Sequence, residues 1–179
     1  MRVLPGMTIL CPCDAEETRR AVRAAAAIDG PVYLRLSRLA TPVFSEGMPF
    51  EVGKANVLRR GGSAAFITCG LMVEACMKAA ELLAARGIEM TVVNMHTIKP
   101  LDEEIVRSLA GEMKIFTVEE HSTVGGLGDA VAAVIAEHGG RLRKLGVPDC
   151  FGQSGSPAEL LDFYGLSPEK IAATVEQEL

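Results

Sequence analysis

Glu119, Glu120 and His121 place two carboxylates and an imidazole side by side after an apolar run. The imidazole could act as a general acid or base, because histidine titrates near neutral pH. Ser122 and Thr123 follow, and Gly125, Gly126 and Gly128 punctuate the residues beyond. Two readings compete. At the C-terminal edge of a strand in an open α/β sheet, such side chains are placed to bind a ligand or partner. Alternatively, the glycines only allow strand, loop and helix to pack closely, because the spacing is not Gly-x-Gly-x-x-Gly and a lone glycine loop is a weak signal. Adjacent strand residues diverge, so Glu119 and Glu120 are expected to split into a loop-fixing carboxylate and a solvent-facing one. No Ser or Cys nucleophile stands in an evident triad with His121, which is expected to satisfy loop carbonyls. His96 is expected to cap or bridge a loop, and His138 to serve the last carbonyls of a helix.

The five cysteines, Cys11, Cys13, Cys69, Cys76 and Cys150, form no C-x-x-C pair and have no further ligands close by. No metal site is expected, and the reading is buried, reduced thiols in a cytosolic protein.

The elements that would position these groups follow from periodicity. Ile115 to Val118 reads as a buried strand, and a helix is expected from about Asp129 to His138. Earlier, Thr8 to Cys11 reads as a strand, Asp14 as the N-cap of a helix, and Val32 to Leu36 as the strand that closes a β-α-β unit. Residues 43–52 carry Gly47 and Pro49 and read as a linker between a first unit, 1–42, and a second, 53–179. The second unit predicts strands near Ala55–Val57, Ala64–Thr68, Met90–Val93 and Leu142–Val147, with helices between them. Residues 96–100 read as a loop, and Asp102 as a helix cap. Strands alternating with helices indicate a three-layer α/β/α fold around a mostly parallel sheet.

The net charge of −5 argues against nucleic acid or an anionic membrane as the main partner. No apolar run reaches the roughly 18 residues of a membrane span, and the expected location is the cytoplasm.

Several stretches together carry a family resemblance. They are Pro5-Gly6-Met7, Pro12-Cys13-Asp14-Ala15-Glu16-Glu17-Thr18, Gly30 to Arg38, and Asn94-Met95-His96-Thr97-Ile98-Lys99-Pro100-Leu101-Asp102. Glu119-Glu120-His121-Ser122 before Gly125-Gly126-Leu127-Gly128, and Phe151-Gly152-Gln153-Ser154-Gly155, complete the set. The order resembles the C-terminal portion of a transketolase, most like the C-terminal subunit of the split form. It is similar, less closely, to 1-deoxyxylulose-5-phosphate synthase and to the beta subunit of 2-oxo-acid dehydrogenases. Ser37-Arg38-Leu39, where the synthase has Pro-Arg-Gly, favours transketolase.

The resemblance implies a fragment of a pyrimidine-binding domain in 1–42 and a complete C-terminal domain with a five-stranded mixed sheet in 53–179. It implies a transferase that moves a two-carbon ketol unit between sugar phosphates in the pentose phosphate pathway, with thiamine diphosphate and magnesium as cofactors. The activating glutamate is expected upstream of this chain, and the diphosphate and magnesium site in another domain or subunit. This chain alone is therefore expected to be inactive, to bind no cofactor and to hold no catalytic residue. Arg38 matches the arginine that contacts the substrate phosphate, a role a guanidinium at a strand end can fill bidentately; the competing reading is a surface arginine paired with a carboxylate. A homodimer is expected, with the loop from Glu119 to Gly128 at or near the contact. The rival reading from another functional class is a non-catalytic docking domain, as in the dehydrogenase beta subunit.

Overall fold

The computed structural model describes all residues from 1 to 179. Two sheets organise the chain. The larger has the order β3-β5-β4-β7-β8, formed by β3 (Asn56–Arg59), β4 (Ala64–Thr68), β5 (Met90–Asn94), β7 (Lys114–Ser122) and β8 (Leu142–Val147). All neighbours run parallel except β3, which pairs antiparallel with β5. The smaller sheet has the order β2-β1-β6, from β1 (Thr8–Leu10), β2 (Val32–Leu34) and β6 (Thr97–Lys99).

Every residue of β4 and β5 is buried, so both are mainly apolar without alternation, with Thr68, Thr91 and Asn94 as buried polar exceptions. One face packs against α3 (Glu103–Glu112) and α4 (Leu127–His138), with Ile67, Val93, Val106, Ile115 and Val131 in the core. The other packs against α2 (Met72–Ala84) and α6 (Pro168–Glu178), through Phe66, Phe116, Leu83 and Ile171. The helix α5 (Pro157–Phe163) opens with a complete capping box between Ser156 and Glu159. Asp102 caps α3 through Ile105 N, and Asp14 caps α1 (Ala15–Ala27) through Glu17 N.

The segment expected to be a loop at 96–100 contains β6, which pairs antiparallel with β1. Three residues are too few to show a period, and the strand exists only because β1 offers it an edge. A long-range pairing of this kind leaves no local trace. Its consequence is that residues from both predicted units share one sheet and one core: Ile9 and Cys11 pack with Ile67, Cys69, Met95 and Ile98.

The stretch between β2 and β3 has no regular structure but is anchored. The buried Asp14 carboxylate accepts from Phe44 N, Ser45 N and Ser45 Oγ, and Arg20 donates to Ser45 O and Met48 O. Phe50 stacks on His96 with ring centroids 4.3 Å apart.

Candidate functional site

Strand β7 runs through the titratable cluster and ends only at Ser122, and α4 begins at Leu127, two residues before the expected start. Glu119 is buried at 1% exposure and Glu120 is exposed. The two Glu119 oxygens accept from Leu127 N and Gly128 N, each at 2.8 Å. These are first-turn amides of α4, which have no partner within the helix, and the helix dipole adds to their attraction for a carboxylate. Glu119 thus serves as the cap that the α4 sequence lacks, since Gly126 at the N-cap offers no side chain.

The glycines make this possible. A Cβ on Gly126 would stand 2.1 Å from Glu119 Oε2. One on Gly128 would stand 2.7 Å from Lys144 Cδ and 2.9 Å from Thr117 Oγ1. Gly125 is different: no atom lies within 4 Å of its would-be Cβ, but its φ is +78°, a conformation glycine adopts without cost. Lys144 Nζ ties the loop down through Thr123 O and Asp129 Oδ1, while Gly125 N donates to Asp129 Oδ2. The Lys144 ammonium, followed by the Gly125 amide, holds the Asp129 carboxyl below its usual range.

His121 donates from Nδ1 to Ser122 O at 2.8 Å, and the same nitrogen lies 3.8 Å from Glu119 Oε2. Its ring lines a cavity of about 260 Å³ together with Arg2, Tyr33, Arg35, Glu119, Gly125 and Gly126, and apolar walls that include Ile9, Ile98 and Leu127. The structure therefore gathers Glu119, His121, Gly125 and Gly126 at one place. Glu120 points away, and Gly128 is buried in packing. Arg38 stands apart, four residues past the end of β2 and exposed, with no side-chain hydrogen bond or ion pair. The expected contact surface at this loop narrows as well: Val124 is 61% exposed, but Leu127 is fully buried in the core of its own chain.

Arg35 is the residue that motif reading missed. It sits in the apolar run Val32-Tyr33-Leu34-Arg35-Leu36, where a lone charge has to find either water or a partner. The guanidinium reaches between the two units, with Nη2 3.7 Å from Cys69 Sγ. Burial works against its charge, but the Cys69 and Cys11 sulfurs and Glu119 outweigh that and raise its pKa. The cysteines depart from expectation at one position: Cys150 is exposed, while Cys11, Cys13, Cys69 and Cys76 are buried. Burial pushes the Cys76 thiol up to about 12. His96 is buried in the two-residue connection between β5 and β6, where Nδ1 lies 3.0 Å from Thr97 Oγ1 at the start of β6. His138 Nε2 accepts from Arg107 Nε, and so joins α3 to α4 instead of serving α4 carbonyls. No group of three or more His, Cys, Asp or Glu side chains is arranged to hold a metal ion, and no helix is long and apolar enough to cross a membrane.

Comparison with known proteins gives the arrangement a family. The transketolase C-terminal domain matches residues 53–171, and the transketolase pyrimidine-binding domain matches residues 1–43. A transketolase C-terminal section from Methanocaldococcus jannaschii is 40% identical over 184 residues, covering 100% of this chain and 58% of its own length. A 6-deoxy-6-sulfo-D-fructose transketolase subunit from Clostridium sp. (strain MSTE9) is 41% identical over 180 residues, covering 99% of this chain and 56% of its own. Among solved structures, a split-gene transketolase in the form of an inactive β4 tetramer superposes with a TM-score of 0.94 at 42% identity, over 99% of this chain and 59% of that one. The chain spans slightly more than half the length of these relatives. By sequence and by fold, it belongs to the transketolase family, of which it is a C-terminal section.

Proposed function

We propose that the chain is the C-terminal section of a thiamine-diphosphate-dependent transketolase that moves a two-carbon ketol unit between sugar phosphates, and that it is inactive alone. The observation that carries this reading is the shared core. The pyrimidine-domain strands β1 and β2 are locked to the C-terminal domain through β6, so the chain presents a preformed surface to an N-terminal section. The relative solved as an inactive β4 tetramer supports the same reading.

Thiamine diphosphate supplies the carbanion chemistry in such enzymes. The residues here do not by themselves fit it. Both buried carboxylates of the pyrimidine-domain piece are already engaged: Asp14 by the linker amides, and Glu17 by Cys13 N and Asn94 Nδ2. Burial raises the Glu17 pKa, with Asn94 opposing. We therefore place the activating glutamate, the diphosphate site and magnesium outside residues 1–179, in other parts of the full enzyme, and we propose a cytoplasmic location for the complex.

Arg38 is free to act in that complex as the substrate-phosphate ligand. The clostridial relative acts on a sulfonated sugar, so the test compares phosphorylated, sulfonated and uncharged acceptors in the reconstituted enzyme. Arg38→Ala should lower kcat/KM for the anionic sugar by about 10- to 100-fold, the equivalent of one charge-assisted hydrogen bond. Equal losses for charged and uncharged acceptors would refute the role. For the section alone we propose a homodimer, for which light scattering should give twice the chain mass; a monomer would count against it.

A further inference from the structure

The cavity between β2 and the β7–α4 loop holds more positive charge than its own side chains balance. Arg35 forms no ion pair with any carboxylate, and its one hydrogen bond goes to a sulfur 3.7 Å away, a weak acceptor. Arg2 uses Nε on Gly125 O and leaves its two terminal nitrogens unengaged. The Tyr33 hydroxyl has no partner within the chain, and His121 uses only Nδ1. Glu119 is the one carboxylate on the cavity wall, and both of its oxygens are taken by the α4 amides. A guanidinium has five N–H donors in a planar fork that matches a carboxylate or phosphate. Here two such forks face one cavity with apolar walls that weaken competition from water.

We propose that this cavity is a binding site for a small oxyanion, the carboxylate or phosphate group of a metabolite of a few carbon atoms, held by Arg35 and Arg2 with Tyr33 as a further donor. The volume of about 260 Å³ falls below the range that encloses drug-sized ligands and suits a compact anion. His121 Nε2 is left free by the Nδ1 bond to Ser122 O, and it is placed to bond a hydroxyl beside the anionic group. The site is separate from the substrate-phosphate role of Arg38, which does not line the cavity. Because the cavity wall includes the backbone of the Glu119-capped loop, an occupant would brace Gly125 and Gly126 against β2.

The test is a titration of the ¹⁵N-labelled full chain with inorganic phosphate, acetate and chloride at matched ionic strength. The amides of Tyr33, Gly125 and Leu127 report the binding. The expected result is saturable shifts with phosphate or acetate and none with chloride; the tighter of the two identifies the class of anion. Arg35→Met should raise the midpoint about tenfold or more, and Arg2→Gln should do the same. Arg38→Ala should leave it unchanged. Shifts that track ionic strength alike for all three salts would overturn the site. So would an unmoved midpoint in Arg2→Gln, a partly exposed position whose substitution leaves the core intact even if Arg35→Met does not fold.

Discussion

Gly126→Ala isolates the contact on which the β7–α4 junction depends. Gly126 has φ −89° and ψ −153°, just beyond the edge of the β region open to alanine, so a small backbone cost adds to that of the methyl. That methyl would lie 2.1 Å from Glu119 Oε2 and 2.7 Å from Cδ and Oε1, and the carboxylate must leave. Its departure breaks two charge-assisted bonds of 2.8 Å and strands two helix amides. At roughly 1.5–3 kcal/mol each, the gross loss is about 3–6 kcal/mol. The adjacent cavity lets the displaced carboxylate reach water, so a net cost of about 3–4 kcal/mol is expected. Gly125→Ala provides the control: its φ is +78° with no atom near the new methyl, so only backbone strain of about 1–2 kcal/mol applies. The assay is urea unfolding followed by circular dichroism at one fixed protein concentration. In a Glu119→Ala background the Gly126→Ala cost should fall below about 1 kcal/mol, because the clash is gone. An undiminished cost in that background, or a Gly126→Ala cost no larger than that of Gly125→Ala, would refute the capping account.

Two further substitutions test the anchoring of the same face. Burial holds the His96 pKa down at about 4 against 6.5 in an exposed histidine, with Asp102 opposing. The folded state thus binds its proton less readily than the unfolded state. Stability should be complete above about pH 6.5 and fall as the pH drops toward 4, by up to about 3 kcal/mol; His96→Gln should flatten that slope in pH-dependent unfolding, and an unchanged slope would count against the assignment. Asp14→Ala removes the acceptor shared by Phe44 N, Ser45 N, Ser45 Oγ and Glu17 N. It should cost about 2–4 kcal/mol and speed proteolysis within residues 37–50; a cleavage rate equal to that of the parent would show that Asp14 does not hold this segment.

What the sequence disclosed follows the range of the interactions involved. Buried strands such as Ala64–Thr68 and caps such as Asp14 and Asp102 are local, and their residue types announce them. The five-stranded mixed sheet was legible through the family resemblance, which implied one antiparallel strand without saying which; the structure shows it to be β3. Three features were out of reach because they depend on distant partners. The strand β6 exists only against β1. The end of β7 was placed too early because Glu119 and Glu120 look like loop residues, yet Glu119 is buried by α4 amides eight and nine residues away. Arg35 acquires its surroundings from Cys69 and Glu119, which the fold alone brings near. The charge inside an apolar run was the available signal, and it points to the cavity more directly than the glycines do.

The central claim is that catalysis needs parts of the enzyme outside residues 1–179. The most direct measurement is ketol transfer from a ketose phosphate with excess thiamine diphosphate and magnesium, for this chain alone and for the full enzyme that contains it. The account predicts no turnover above the buffer blank for the chain alone and clear turnover by the full enzyme. Turnover by the chain alone, or none by the folded, cofactor-loaded full enzyme, would contradict it.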